Sequence, residues 1–112
     1  MPKELEEALV EVWRQAMVAN AKVVQLNGKS FPVRRTPRRN LRQVDFTFSG
    51  QPIRGLEQNP QTQSRWAQMA RAGKKVMQFL VNGRYIGNVA DGKVMLYGSV
   101  ARRASESTRG SF

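Results

Sequence analysis

The chain contains no cysteine and no histidine. Without thiols it can form no disulfide, offer no thiolate nucleophile and build no cysteine-ligated zinc site. Without imidazole it lacks the side chain that most readily moves protons near neutral pH. Acids are scarce as well, with 8 Asp and Glu against 19 Lys and Arg in 112 residues. Four of them, Glu4, Glu6, Glu7 and Glu11, fall in the first eleven residues. Of the remainder, Asp91 sits in a turn signal and Glu106 in the tail, leaving Asp45 and Glu57 for an acid–base pair or a Mg²⁺ site. The simpler expectation is that each pairs with a nearby arginine on a polar sheet face. The chain has no Walker-type loop, GxSxG or GxGxxG. These absences lead to the expectation of a non-enzymatic protein with no cofactor and no metal.

No apolar run approaches the roughly 18 residues of a membrane-spanning helix. The opening MPKELEEAL reads as the acidic start of an amphipathic helix rather than a signal peptide, and it lacks the glycine that myristoylation needs. A cysteine-free chain suits a reducing compartment, so a cytoplasmic location is expected.

What is present is positive charge, unevenly placed. The net charge is +11. The first eleven residues carry −3, and residues 12–112 hold eighteen bases against four acids, or +14. The densest stretch is Lys29 to Arg42, KSFPVRRTPRRNLR, with one lysine, five arginines (Arg34, Arg35, Arg38, Arg39 and Arg42) and no acid. Pro32 and Pro37 keep it out of a helix. Arginine's planar fork takes a phosphate with two hydrogen bonds, so this run is the candidate nucleic-acid-binding site, DNA or RNA undecided. On a strand Arg34 and Arg35 point to opposite faces, whereas Arg38, Arg39 and Arg42 are placed to converge. Lys74 and Lys75 form a second cluster just after a helix, where positive charge is favourable in itself. The alternative reading is a protein-interaction module, with the arginines meeting an acidic partner or the N-terminal helix pairing with a second copy.

The hydrophobic pattern predicts one α+β domain over 1–98 and a disordered basic tail over 99–112. Leu5, Leu9, Val12, Trp13 and Ala16 recur at helical spacing over residues 3–19, with Asn20 as a stop. Residues 22–33 read as a hairpin about a type I′ Asn27-Gly28 turn, setting Val24 opposite Phe31 and Leu26 opposite Lys29. Thr36-Pro37 ends the second strand and puts Arg38 and Arg39 on a loop. Residues 41–48 alternate, with Val44, Phe46 and Phe48 on one face. Ser49-Gly50 turns the chain into a short edge strand at Pro52–Glu57. Asn59-Pro60 marks a helix start, with Trp66, Met69 and Ala70 as the buried stripe to about Ala72, and Gly73 just past its end. Thr62, Ser64 and Arg65 at that start are candidates for holding an anion.

Residues 74–98 predict a three-stranded meander about Asn82-Gly83 and Asp91-Gly92. Two-residue turns throughout would put Val76, Gln78, Leu80, Tyr85, Gly87, Val89, Val94 and Leu96 on one face. Met77, Phe79, Val81, Arg84, Ile86, Asn88, Lys93, Met95 and Tyr97 would share the other. Phe79, Ile86 and Tyr97 would then lie side by side among Arg84, Asn88 and Lys93, as an aromatic platform for bases or as a face covered by a helix. The similarity of KVVQL-NGK at Lys22 to KVMQF-NGR at Lys75 admits a duplicated helix-plus-hairpin unit. The expected fold is therefore a mostly antiparallel, strongly curved sheet with two helices, in the order α-ββ-ββ-α-βββ, with barrel-like closure as the structural alternative.

Overall fold

A computed structural model describes residues 2–96; the expected disordered tail and Tyr97 lie outside the described residues. Helix α1 (Pro2–Trp13) continues into one π-helical turn (Arg14–Val18). Seven strands follow, β1 (Val23–Leu26), β2 (Lys29–Arg35), β3 (Arg42–Phe48), β4 (Gln51–Glu57), β5 (Val76–Val81), β6 (Arg84–Ala90) and β7 (Lys93–Leu96), with helix α2 (Arg65–Arg71) between β4 and β5. Every strand pairs antiparallel with its neighbours in the chain, so spatial order equals sequence order. Among the described residues no pairing joins β1 to β7, and the sheet they form is not closed into a barrel.

Four of the six strand connections are two-residue turns at Asn27-Gly28, Ser49-Gly50, Asn82-Gly83 and Asp91-Gly92. Both residues of each have positive φ, the type I′ geometry that matches strand twist. The first turn sets the register expected, Val24 opposite Phe31 and Leu26 opposite Lys29. β4 is a central strand between β3 and β5, not the edge strand its Pro52 suggested. The proline is tolerated because Thr47 and Pro52 form the pair next to the one flanking the turn, whose N–H positions point away from β3. Pairing with β5 begins only at Ile53, so the missing donor leaves no ladder bond unmade.

The inner face of the sheet carries Val24, Phe31, Val33, Val44, Phe46, Ile53, Met77, Phe79, Ile86 and Val89, and the stripe of α1 packs on it. Leu9, Val12 and Ala16 are fully buried there. The helix touches β1 at one edge and β7 at the other, so the sheet bends around it. Two T-shaped ring contacts, Phe31–Phe46 and Phe46–Phe79, each with centroids 6.3 Å apart, run across this face. Trp13 Nε1 donates to the Lys75 carbonyl at 2.8 Å, tying α1 to the start of β5.

The π turn brings Gln15 to the outer edge of β1. Its amide accepts from Gln25 N at 2.8 Å and donates to Gln25 O at 2.9 Å. Glu11 bonds the same amide at 2.6 Å and also binds Arg14. The hydrogen bond from Arg14 holds the Glu11 carboxyl below its ordinary value. Asn20, at φ +55°, stops the helix as expected.

Two expectations are corrected here. Helix α2 begins at Arg65, not Asn59. Ser64 caps it by accepting from Ala67 N at 3.0 Å, while Asn59 Oδ1 accepts from Gln61 N in a separate turn. Its deepest residue is Ala67, fully buried, while Trp66, Met69 and Ala70 are half-buried. The second correction lies in β6. A β-bulge between Phe79 and Leu80 leaves Ile86 without a partner and sets Gly87 opposite Phe79 and Val89 opposite Met77. Beyond Ile86 the two faces are therefore exchanged: Gly87, Val89, Val94 and Leu96 join the Phe79 face, and Asn88 joins Gln78.

A duplicated helix-plus-hairpin unit is not what forms, because α1 covers the inner face and α2 adjoins the outer one. The Phe79–Ile86 face is core, with Phe79 at 0 % and Ile86 at 3 % exposure, so it offers no open platform.

Candidate nucleic-acid interface

An antiparallel meander sends alternate connections to the same end. Here the turns at 27–28, 49–50 and 82–83 share one end. The connections at 36–41, 58–75 and 91–92 share the other. The two long connections thus meet at one end of the sheet: the arginine loop between β2 and β3, and the segment carrying α2 between β4 and β5.

The arginine loop is built rather than loose. Thr36 N donates to Leu41 O at 2.8 Å, and Asn40 N to Thr36 O at 3.1 Å. Leu41 N donates to the Thr36 hydroxyl at 3.0 Å, and Arg35 Nη1 to Asn40 O at 2.9 Å. Asn40 takes φ +58°, a conformation asparagine tolerates better than most residues. Arg38 and Arg39 stand exposed at the loop tip.

Between this loop and the α2 segment lies an open cleft of about 720 Å³ on the outer sheet face. Its floor is Leu56, Gln78, Leu80 and Tyr85, contributed by three adjacent strands. One wall is Thr36, Arg38, Arg39 and Leu41; the other is Gln58, Asn59, Thr62, Ser64 and Trp66. Among the described residues no carboxylate lines it. The Arg65 guanidinium lies over the Trp66 ring, 5.5 Å from its centroid, adding a cation beside the α2 wall. Arg71 folds back to donate to Pro60 O and to Thr62 O, the latter at 3.0 Å, and so braces that wall.

The remaining candidates separate by environment. Arg34 and Arg35 are exposed on β2, opposite Gln43 and Arg42. Arg42 is turned inward. Its Nη1 reaches Glu57 Oε1 at 3.3 Å, its Nη2 reaches Asn20 Oδ1 at 2.9 Å, and its backbone N–H donates to Glu57 at 2.9 Å. It fastens the end of the N-terminal helical segment to β3 and β4, and does not converge with Arg38 and Arg39. Lys74 pairs with Asp91 at 3.1 Å. Lys74 and Lys75 line a different depression, with Trp13, Val18 and Asp91.

Asp45 pairs with Arg54 at 2.7 Å on the outer face, and Glu57 pairs with Arg42. In the strand register the two acids fall on opposite faces, so they form no carboxylate pair. Asn88, fully buried on the outer face opposite Gln78, has neither amide atom hydrogen-bonded among the described residues. Thr62 and Ser64 hydroxyls lie 3.2 Å apart, and that of Ser64 already serves as the helix cap.

Sequence reasoning placed Gln78, Leu80 and Tyr85 on one face correctly, but assigned the aromatic platform to the other. It missed that Trp66, carried on the segment after β4, stands beside this face as part of one wall of the cleft. The signal was the half-apolar row itself, Leu56, Leu80 and Tyr85, an apolar surface patch of the kind that marks a binding site. No helix among the described residues is long and apolar enough to cross a membrane. No family model, curated protein or solved structure matches the chain.

Proposed function

We propose that this domain binds nucleic acid through Arg34, Arg35, Arg38 and Arg39, neutralising backbone phosphates and releasing their counterions. One observation carries the reading. Arg14, Arg42, Arg54 and Lys74 each have a carboxylate partner, while among the described residues none pairs with the four exposed arginines of the run. Like charges gathered at the end of β2 and on the hydrogen-bonded loop that follows it repel one another, and a polyanion removes that cost. The burial of Leu9, Val12, Trp13 and Ala16 on this chain's own sheet favours this reading over self-association through the N-terminal helix.

Four phosphate contacts give an expected log–log salt slope of about −3.6 on duplex DNA, or roughly a 150-fold loss of affinity between about 50 and 200 mM salt. The Arg38→Gln/Arg39→Gln variant should bind more weakly, with a slope near −1.8, and melt like the parent. Arg42→Gln should do the opposite, costing about 1–3 kcal/mol of stability with the slope unchanged. Anisotropy titrations across a salt series, with heparin as competitor, read both effects. Equal salt slopes in the parent and the double variant would refute the assignment. Weak binding erased equally by heparin for every nucleic acid would redirect the search to an acidic protein partner.

A further inference from the structure

We infer that the cleft beside the arginine loop takes an unpaired base, so that the preferred ligand is a single strand rather than a duplex. This rests on the reading above and names the substrate class for the same site. Three features point the same way. Tyr85 and Trp66 line the same cleft as Arg38 and Arg39, which places aromatic surface directly next to phosphate-binding groups. Single-strand sites combine these two elements, because every base has a face to stack while its backbone needs cations.

The chemistry of the lining is also graded. Leu56, Leu80 and Leu41 make it apolar, while Gln58, Gln78 and Asn59 supply amides that can both donate and accept at a base edge. An open cleft of about 720 Å³ is large enough for a small-molecule-sized group. Finally, the charge is one-sided: among the described residues the lining holds two arginines and no acid. An acidic peptide would satisfy the arginines but would leave the aromatic and amide lining without a matching group. In a duplex the bases stack on each other and their faces are not offered to a side chain.

The test uses three labelled probes of equal length: oligothymidylate, the corresponding strand with every base removed, and a DNA duplex. The parent should bind oligothymidylate at least about tenfold more tightly than the abasic strand. Tyr85→Ala should reduce oligothymidylate affinity by about fivefold to 150-fold and leave abasic binding unaltered. Tyr85→Phe, which keeps the ring, should retain the preference. Tyr85 is 39 % exposed, and melting curves of both variants check that the fold is intact. Equal affinity for the thymidylate and abasic strands would overturn the inference while leaving the arginine reading standing. So would a preference that survives Tyr85→Ala. If the Arg38→Gln/Arg39→Gln variant binds all three probes as the parent does, the arginine reading falls and takes the inference with it.

Discussion

Gly87→Ala is expected to be the most damaging single-methyl substitution in this domain. A Cβ built at Gly87 would stand 2.2 Å from the backbone oxygen of Met95 and 3.0 Å from Leu96 Cα. These are backbone atoms of β7, so no side-chain rotation relieves the overlap. The strand must move or leave the sheet. The expected cost is about 3 kcal/mol or more, a large share of the roughly 5–15 kcal/mol that holds such a domain together. Gly55→Ala is the comparison. There the added methyl meets Phe79 Cε1 at 2.9 Å and Met77 Sδ at 3.1 Å, which are side-chain atoms that can yield, and the cost should stay within about 1–3 kcal/mol. Denaturant titrations of the two variants measure the difference. A Gly87→Ala protein as stable as the parent would mean that β7 does not lie against β6 as described.

The second large effect separates the two tryptophans. Trp13 is 8 % exposed and hydrogen-bonded to a carbonyl 62 residues away. Trp13→Ala should cost about 3–5 kcal/mol, because it empties the join between α1 and the sheet and strands the Lys75 carbonyl. Trp66 is only half-buried, at the wall of an open cleft. Trp66→Ala should cost about 1–2 kcal/mol from its partial burial, and its larger effect should fall on binding. Thermal melts of both variants decide this. Equal losses would mean that α2 is packed far more tightly than the structure has it.

Sequence alone put Trp13 and Trp66 each in the apolar stripe of a helix and did not tell their burial apart. A tryptophan in a helical stripe looks the same whether its helix covers a core or merely leans on a sheet margin. Burial depends on which face the helix meets, and that is a tertiary fact. Turns were far more legible. Asn27-Gly28, Asn82-Gly83 and Asp91-Gly92 announce themselves because few residue pairs accept two successive positive φ values. The helix stop at Asn20 was readable for a related reason.

The bulge opposite Phe79 was not anticipated, although it had a sign. A lone glycine inside a strand pattern, here Gly87, marks a bulge or a close approach of backbones, and it does both. One unpaired residue, Ile86, exchanged the faces of the described strand residues after it, which is why Val89, Val94 and Leu96 share Phe79's side. At the candidate site the loop position of Arg38 and Arg39 followed from Pro37. The separation of Arg42 from them did not, because it depends on Glu57 and Asn20, fifteen and twenty-two residues away.

The neighbour-only strand order has a consequence for how the chain reaches this state. Four of the six pairings close two-residue turns and the longest connection spans only residues 58–75, so the entropy cost of successive pairings stays small, and strands can zip in sequence without waiting for a distant partner. The helix α1 is the exception. It is synthesised before the strands, yet its seat spans β1 to β7 and exists only once the sheet has formed. Docking of α1 should therefore come late in folding, after a sheet with an uncovered apolar face. A stopped-flow trace in the Trp66→Phe background, where Trp13 is the only indole, would show its burial trailing the β-sheet signal, and simultaneous phases would rule this order out. That passing intermediate, rather than the finished fold, is the state in which this protein is most exposed to aggregation.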